Sequence, residues 1–221
     1  MNFPYARLDF DREHRLGMVE AIWGEHKTFD QIVRILAKFE ESRKLALVTR
    51  LQKEKADKLL GIFKSARFYS DSACLTLGPS LEMDKGLGHV VILSGGTSDF
   101  SVASEAELAL NLHGIETKKI IDVGVAGLHR LLSKLEELKE AKVVIACAGM
   151  EGALPTILAG LIPQPVIGVP VSVGYGVSSK GKTALDGMLA SCAPGLVVVN
   201  IDNGYGAAMA SLRIMKCLSN Y

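Results

Sequence analysis

From His89 to the end, the chain alternates short apolar runs with segments of helical character, and this alternation restricts the fold more than any other feature. The strand-like runs are HVVILSGG (89–96), Glu116 to Val123, VVIACA (143–148), Val166 to Pro170 and LVVVNID (196–202), and they are rich in Val, Ile, Leu and Ala. Helical segments lie between and after them: 98–113, 126–140, a short one opened near Pro155, 183–190 and 205–219. Strands that are apolar on both faces must be covered on both faces. The pattern therefore predicts an α/β fold with a doubly wound, five-stranded parallel sheet of flavodoxin-like or Rossmann-like type. Ligands of such sheets bind outside the carboxyl ends of the strands, where strand order reverses. That rule selects the loops that follow the strands.

Residues 1–77 are richer in charge. Thr28 to Ser42 reads as an amphipathic helix with Ile32, Ile35, Leu36 and Phe39 on one face, and Thr28 and Gln31 have capping-box spacing. A strand-like LALVTR (45–50), a helix around 52–63 and a polar-apolar alternation over 67–77, read as one further strand, complete a small α+β subdomain. GPSLEMDKGLG (78–88) has the punctuation of a linker to a catalytic domain at 89–221. A chain of 221 residues has room for both.

Charge and cysteine usage exclude several classes of function. With 25 Lys+Arg against 24 Asp+Glu there is no global field of the kind that marks a general nucleic-acid binder. Cys74, Cys147, Cys192 and Cys217 show neither CxxC spacing nor a paired His, so no zinc site or disulfide framework is expected. MNFPYARLDFDREHR lacks the apolar core of a signal peptide, and no run reaches the roughly 18 apolar residues of a membrane helix. A soluble, cytoplasmic protein is expected, with neither membrane nor nucleic acid among its partners.

Several loops can carry chemistry. After the first strand of the large domain, Ser94, Gly95, Gly96, Thr97, Ser98 and Asp99 supply a close backbone approach and a helix start. That stretch serves equally as a simple N-cap or as a phosphate site. The loop 124–130 adds His129 and Arg130, suited to proton transfer and to phosphate, although either can simply face solvent. In the central turn, Gly149, Met150, Glu151 and Gly152, the carboxylate of Glu151 either complements a helix dipole or acts as a catalytic base. Cys192 in SCAPG is either a small buried filler or a nucleophile.

Gly176 to Thr183 matches the Walker A pattern GxxxxGK(S/T), and Asp202 imitates a Walker B carboxylate. A P-loop normally lies early in its domain, whereas here about one strand and two helices follow. The competing reading is a flexible Gly/Ser loop, a lid in which Lys180 and Lys182 meet an anion or water. NIDNGYGAA (200–208) closes the last strand, with Asp202 and Asn203 as caps or binding groups.

SGGTSDF (94–100), GVAGLHR (124–130), ACAGMEGALPTILAG with PVIGVPVSVGYG, and VVVNIDNGYGAA together resemble the aminoimidazole ribonucleotide carboxylase fold family of purine synthesis. They resemble more closely the LarB family, the carboxylase/hydrolases that make the nickel-pincer nucleotide cofactor of lactate racemase. The likeness extends to DFDREHR near the amino terminus. In one respect the chain departs from the purine enzymes: Ala153 stands where they carry a histidine before Leu-Pro, with Glu151 two positions earlier.

The LarB resemblance implies carboxylation of the pyridinium ring of nicotinic acid adenine dinucleotide. It also implies hydrolysis of the phosphoanhydride, giving pyridinium-3,5-biscarboxylic acid mononucleotide and AMP. Cys192 matches the family's nucleophile and Glu151 its base; Ser94, Gly96, Thr97, Ser98, Asp99, His129, Arg130, Gly149, Met150, Gly174 and Gly176 would hold the dinucleotide. The same resemblance implies no tightly bound cofactor, carbon dioxide or bicarbonate as co-substrate, and a homo-oligomer, an octamer by the family's habit. Two adjacent phosphates are compatible with a Mg ion, but no carboxylate cluster names a metal site. The alternatives are an aminoimidazole ribonucleotide carboxylase or mutase and a P-loop-like nucleotide-binding protein. The LarB reading requires Cys192 and Glu151 to approach opposite sides of one ring, within a subunit or across a subunit contact.

Overall fold

The structure, a computed structural model, describes residues 6–82 and 85–219. Met1 to Tyr5 of the leader reading, and Met83 and Asp84 of the linker, lie outside the described residues. The chain divides into two compact units, Met1–Leu81 and Glu82–Tyr221.

The smaller unit contains α1 (Arg12–Leu16), β1 (Ala21–Trp23), α2 (Phe29–Glu41), β2 (Ala46–Thr49), α3 (Lys53–Ile62), β3 (Arg67–Tyr69) and β4 (Cys74–Leu77). Its sheet runs β1-β2-β4-β3, with β1 parallel to β2 and the other pairs antiparallel. The Thr28 side chain accepts from the Gln31 N–H at 3.2 Å while Gln31 Oε1 accepts from the Thr28 N–H at 2.9 Å, closing the capping box that starts α2. Ile32, Ile35, Leu36 and Phe39 then bury against Val48, Leu59 and Leu75.

The alternation over 67–77 is not one strand. Ala73 turns left-handed (φ 50) after a 3-10 turn at Ser70–Ser72 and folds the segment into the hairpin of β3 and β4. The sequence reading did not contain α1 and β1, which are too short to show a period.

The larger unit contains β5 (His89–Ser94), α4 (Phe100–Leu112), β6 (Glu116–Ile120), α5 (Leu128–Leu132), α6 (Leu135–Leu138), β7 (Ala141–Ala148), α7 (Ala153–Leu161), β8 (Val166–Pro170), α8 (Lys182–Leu189), β9 (Val197–Val198) and α9 (Gly204–Ser219). All strand pairs are parallel, in the order β6-β5-β7-β8-β9. This is the doubly wound, flavodoxin-like order. Val143, Val144, Ile145, Ala146 and Cys147 at the sheet centre are completely buried, as continuous apolar strands require.

Three elements differ from the sequence reading. The helix expected over 126–140 is a 3-10 turn at Val125–Gly127 followed by α5 and α6. The Ser133 hydroxyl donates to the Arg130 carbonyl at 2.8 Å, competing with helical pairing at the break. The strand expected over 116–123 stops at Ile120, since Asp122 adopts φ 61. The strand expected over 196–202 keeps ladder geometry only at Val197 and Val198, although the Val199 N–H still donates to Gly168 O and the Asp202 N–H to Pro170 O. Among the described residues no helix is long and apolar enough to cross a membrane.

Candidate active site

Strand order reverses between β5 and β7, because the chain leaves β5 for β6 on one side and returns to β7 on the other. Outside the carboxyl ends of these strands lies a cleft of about 500 Å³. Its walls are the turns after β5, β6 and β7 and the loop after β8. The lining is chiefly glycine and small apolar side chains, and its ionisable groups are Asp99, Arg130, Glu151 and Tyr175.

Asp99 ties two of these turns together. It is 4% exposed, and its Oδ2 accepts the Gly96 N–H at 2.8 Å. Burial pushes its pKa up; the backbone N–H groups of Gly96, Gly149 and Gly95 pull it back, and the negative charge of Asp202 acts in the same direction as burial. Since the folded state holds the proton more readily than the unfolded chain, stability from this group is complete below the ordinary carboxylate range. It is lost as pH rises through the raised value. The stability of the native chain relative to Asp99→Asn therefore falls across a pH window that starts in the ordinary carboxylate range and rises from it, measured by urea denaturation at each pH. A constant difference across that window would contradict the assignment.

The central turn is shaped by close backbone contacts. A Cβ on Gly149 would sit 2.3 Å from the Val173 carbonyl oxygen and 3.4 Å from an Asp99 oxygen, so only glycine fits between the turn and the β8 loop. Met150 and Gly152 are both left-handed (φ 53 and 68), and the Met150 N–H donates to Val173 O at 3.2 Å. This path places Glu151 at the cleft with its side chain exposed. From the opposite side the Glu151 carbonyl is pressed by α8, where a Cβ on Gly187 would lie 2.5 Å away. An exposed helical glycine ordinarily gains up to about 1 kcal/mol on change to alanine. Here Gly187→Ala is expected to lose about 1–3 kcal/mol through overpacking, read from the denaturation midpoint.

Arg130 on α5 lines the cleft and donates to Asp122 Oδ2 at 2.6 Å. The ion pair is exposed, so its worth lies in orienting the guanidinium rather than in stability.

Gly96, Ser98, Asp99, Arg130, Gly149, Met150, Glu151 and Gly174 thus share one cleft. Ser94, Thr97, His129, Gly176 and Cys192 are not among its lining residues. Ser94 is fully buried beneath the first turn, where its hydroxyl donates to Gly96 O at 3.0 Å and accepts the Asp122 N–H at 3.3 Å. It shapes the turn rather than facing the cleft. Cys192 is exposed, on the connection from α8 into β9. That connection is pinned to α7 by the Thr156 hydroxyl donating to Ser191 Oγ at 2.9 Å.

The sequence reading passed over Ala148, Leu154, Val173 and Tyr175, which also line the cleft. Ala148 ends β7, Val173 and Tyr175 follow β8, and Leu154 lies in the first turn of α7, so proximity to the carboxyl edge of the sheet is the signal for the first three. Cys147 is completely buried, and desolvation first, then the charges of Asp99, Glu105 and Asp202, push its thiol well above the ordinary range. Its complete burial at the sheet centre suits a packing role.

The Walker-like loop is engaged elsewhere. Lys182 pairs with Asp186 on its own helix, the Thr183 hydroxyl donates to Val177 O at 2.6 Å, and Asp202 Oδ1 accepts the Ser172 N–H at 2.8 Å. The side chains that a P-loop would turn towards phosphate and metal are thus spent on local contacts. Among the described residues no group of three or more His, Cys, Asp or Glu is placed to hold a metal ion.

Comparison with known proteins matches residues 1–79 to a LarB/PurE-like N-terminal domain and residues 89–220 to AIR carboxylase. An uncharacterised protein of Methanocaldococcus jannaschii is 38% identical over 221 residues, covering 96% of this chain and 84% of its own length. The N5-carboxyaminoimidazole ribonucleotide mutase of the same organism is 35% identical over 133 residues, 57% of this chain and 78% of that protein. The corresponding mutase of Pyrococcus abyssi is 33% identical over 141 residues, covering 59% and 75%. Among solved structures, Treponema denticola PurE aligns over 58% of this chain and 80% of its own at 22% identity and a TM-score of 0.49. With both domain matches in sequence, the chain belongs to the LarB family, in which a LarB/PurE-like N-terminal domain precedes an AIR carboxylase domain.

Proposed function

We propose that this member of a carboxylase and mutase family carboxylates the pyridinium ring of nicotinic acid adenine dinucleotide. Hydrolysis of the phosphoanhydride then releases AMP and pyridinium-3,5-biscarboxylic acid mononucleotide for nickel-pincer cofactor synthesis. The observation that carries this reading is the chemistry of the central turn: a carboxylate, Glu151, lines the cleft beside Ala153, with no imidazole among the lining residues.

An electron-poor pyridinium ring cannot attack carbon dioxide. A thiolate adding to a ring carbon dearomatises it to an enamine, and the neighbouring carbon then forms the new C–C bond to carbon dioxide. Glu151 removes the proton from that carbon, the C–S bond breaks, and aromaticity returns. Arg130 and the glycine turn after β5 suit the anionic pyrophosphate. Cys192 serves as the nucleophile from a neighbouring subunit, since within one chain it lies outside the cleft lining that Glu151 shares.

The test is mass spectrometry of the products from nicotinic acid adenine dinucleotide and isotopically labelled bicarbonate. The expected result is label in a biscarboxylated pyridinium mononucleotide together with free AMP. In a parallel incubation with aminoimidazole ribonucleotide, label taken up by that compound, with none in a pyridinium product, supports the alternative aminoimidazole ribonucleotide carboxylase reading and rejects the pyridinium reaction.

A further inference from the structure

We propose a second ligand site in the amino-terminal unit, for a small hydroxylated phosphate monoester. A cavity of about 220 Å³ opens between residues 6–8, β1 and the first turns of α2. Its volume falls below the roughly 300 Å³ at which drug-sized pockets begin, so it takes a compact molecule. The base is apolar, formed by Leu8 with the buried Ile22 and Ile35.

The polar lining is Arg7, Lys27, Gln31 and Glu20. Neither Arg7 nor Lys27 is in an ion pair among the described residues, whereas Arg12, Arg15 and Lys38 of the same unit are. The loop carrying Lys27 does not need its ammonium, because Lys55 Nζ donates to the Lys27 carbonyl at 3.0 Å from below.

The remaining two groups are also held in place. Gln31 Oε1 is spent on the Thr28 N–H, so its amide N–H groups remain as donors. One oxygen of Glu20 accepts the Asp9 N–H at 3.0 Å, which fixes the carboxylate and leaves its other oxygen as an acceptor. Two cations and an amide donor suit an oxyanion, and a fixed carboxylate suits a hydroxyl of the same molecule. A free sugar lacks the first feature and inorganic phosphate lacks the second.

The experiment is calorimetric titration of the full chain with ribose 5-phosphate, ribose and inorganic phosphate, with hydrogen exchange of residues 20–35 as the locator. Ribose 5-phosphate is expected to bind more tightly than either fragment and to protect that segment. Lys27→Ala is expected to weaken it by about tenfold or more, and Lys27→Arg to restore much of the loss. Arg130→Gln, in the other unit, is expected to leave the binding unchanged. The proposal is overturned if there is no binding, if affinity is unaltered in Lys27→Ala, or if affinity is lost in Arg130→Gln with no protection of 20–35.

Discussion

In the proposed reaction, Glu151→Gln is expected to lower carboxylation by about 100- to 10,000-fold, the range for removing a positioned acid or base, while the denaturation midpoint stays within error. The side chain is exposed at the cleft, so substitution deletes a proton acceptor without opening a cavity or stranding a buried group. The neutral amide keeps the size of the carboxylate and cannot accept the ring proton. Rates measured under saturating dinucleotide separate this loss from weakened binding. Near-native turnover would remove Glu151 from the chemistry.

Cys192→Ala is the companion variant. If the thiol of one subunit serves the cleft of another, mixed oligomers of the two inactive variants regain part of the activity. Each mixed contact that pairs an intact Cys192 with an intact Glu151 is then a working site. Failure to regain activity, with mixed assembly verified by mass, would sink the shared site.

Gly152→Val is expected to cost about 2–5 kcal/mol of stability. The position combines two independent obstacles. Its φ of 68 is left-handed, which costs a residue bearing a Cβ roughly 1–2 kcal/mol and a β-branched one more. A Cβ there would also lie 2.7 Å from the Ala184 carbonyl oxygen, backbone that cannot rotate away. Because Gly152 is the N-cap of α7 and follows Glu151 directly, activity should fall with stability. An unfolding free energy from urea denaturation within about 0.5 kcal/mol of the native value would show that the turn has another conformation to relax into.

Much of this architecture was legible residue by residue. Thr28 and Gln31 announced the start of α2, and the unbroken apolar run around Val143 to Ala148 identified a strand covered on both faces. In both cases the determining contacts lie within one turn or one strand, and composition and spacing report them. The misreadings share the opposite property. The hairpin at Ala73, the end of β6 at Asp122 and the reduction of β9 to two residues each depend on a backbone angle or on pairing with a distant segment. The two-carbonyl approach at Gly149 and Gly187 is likewise invisible in a string of letters.

In the larger unit the amino-acid sequence by itself determined the alternation of strand and helix, that these strands run parallel, and which loops reach the carboxyl edge, since local periodicity and chain reversals specify all of these. Only the tertiary structure decided which candidates meet. Close approaches at glycines far apart in the chain, Gly149 to Val173 and Gly187 to Glu151, set the path of the central turn and leave Glu151 at the cleft, whose lining does not include Cys192.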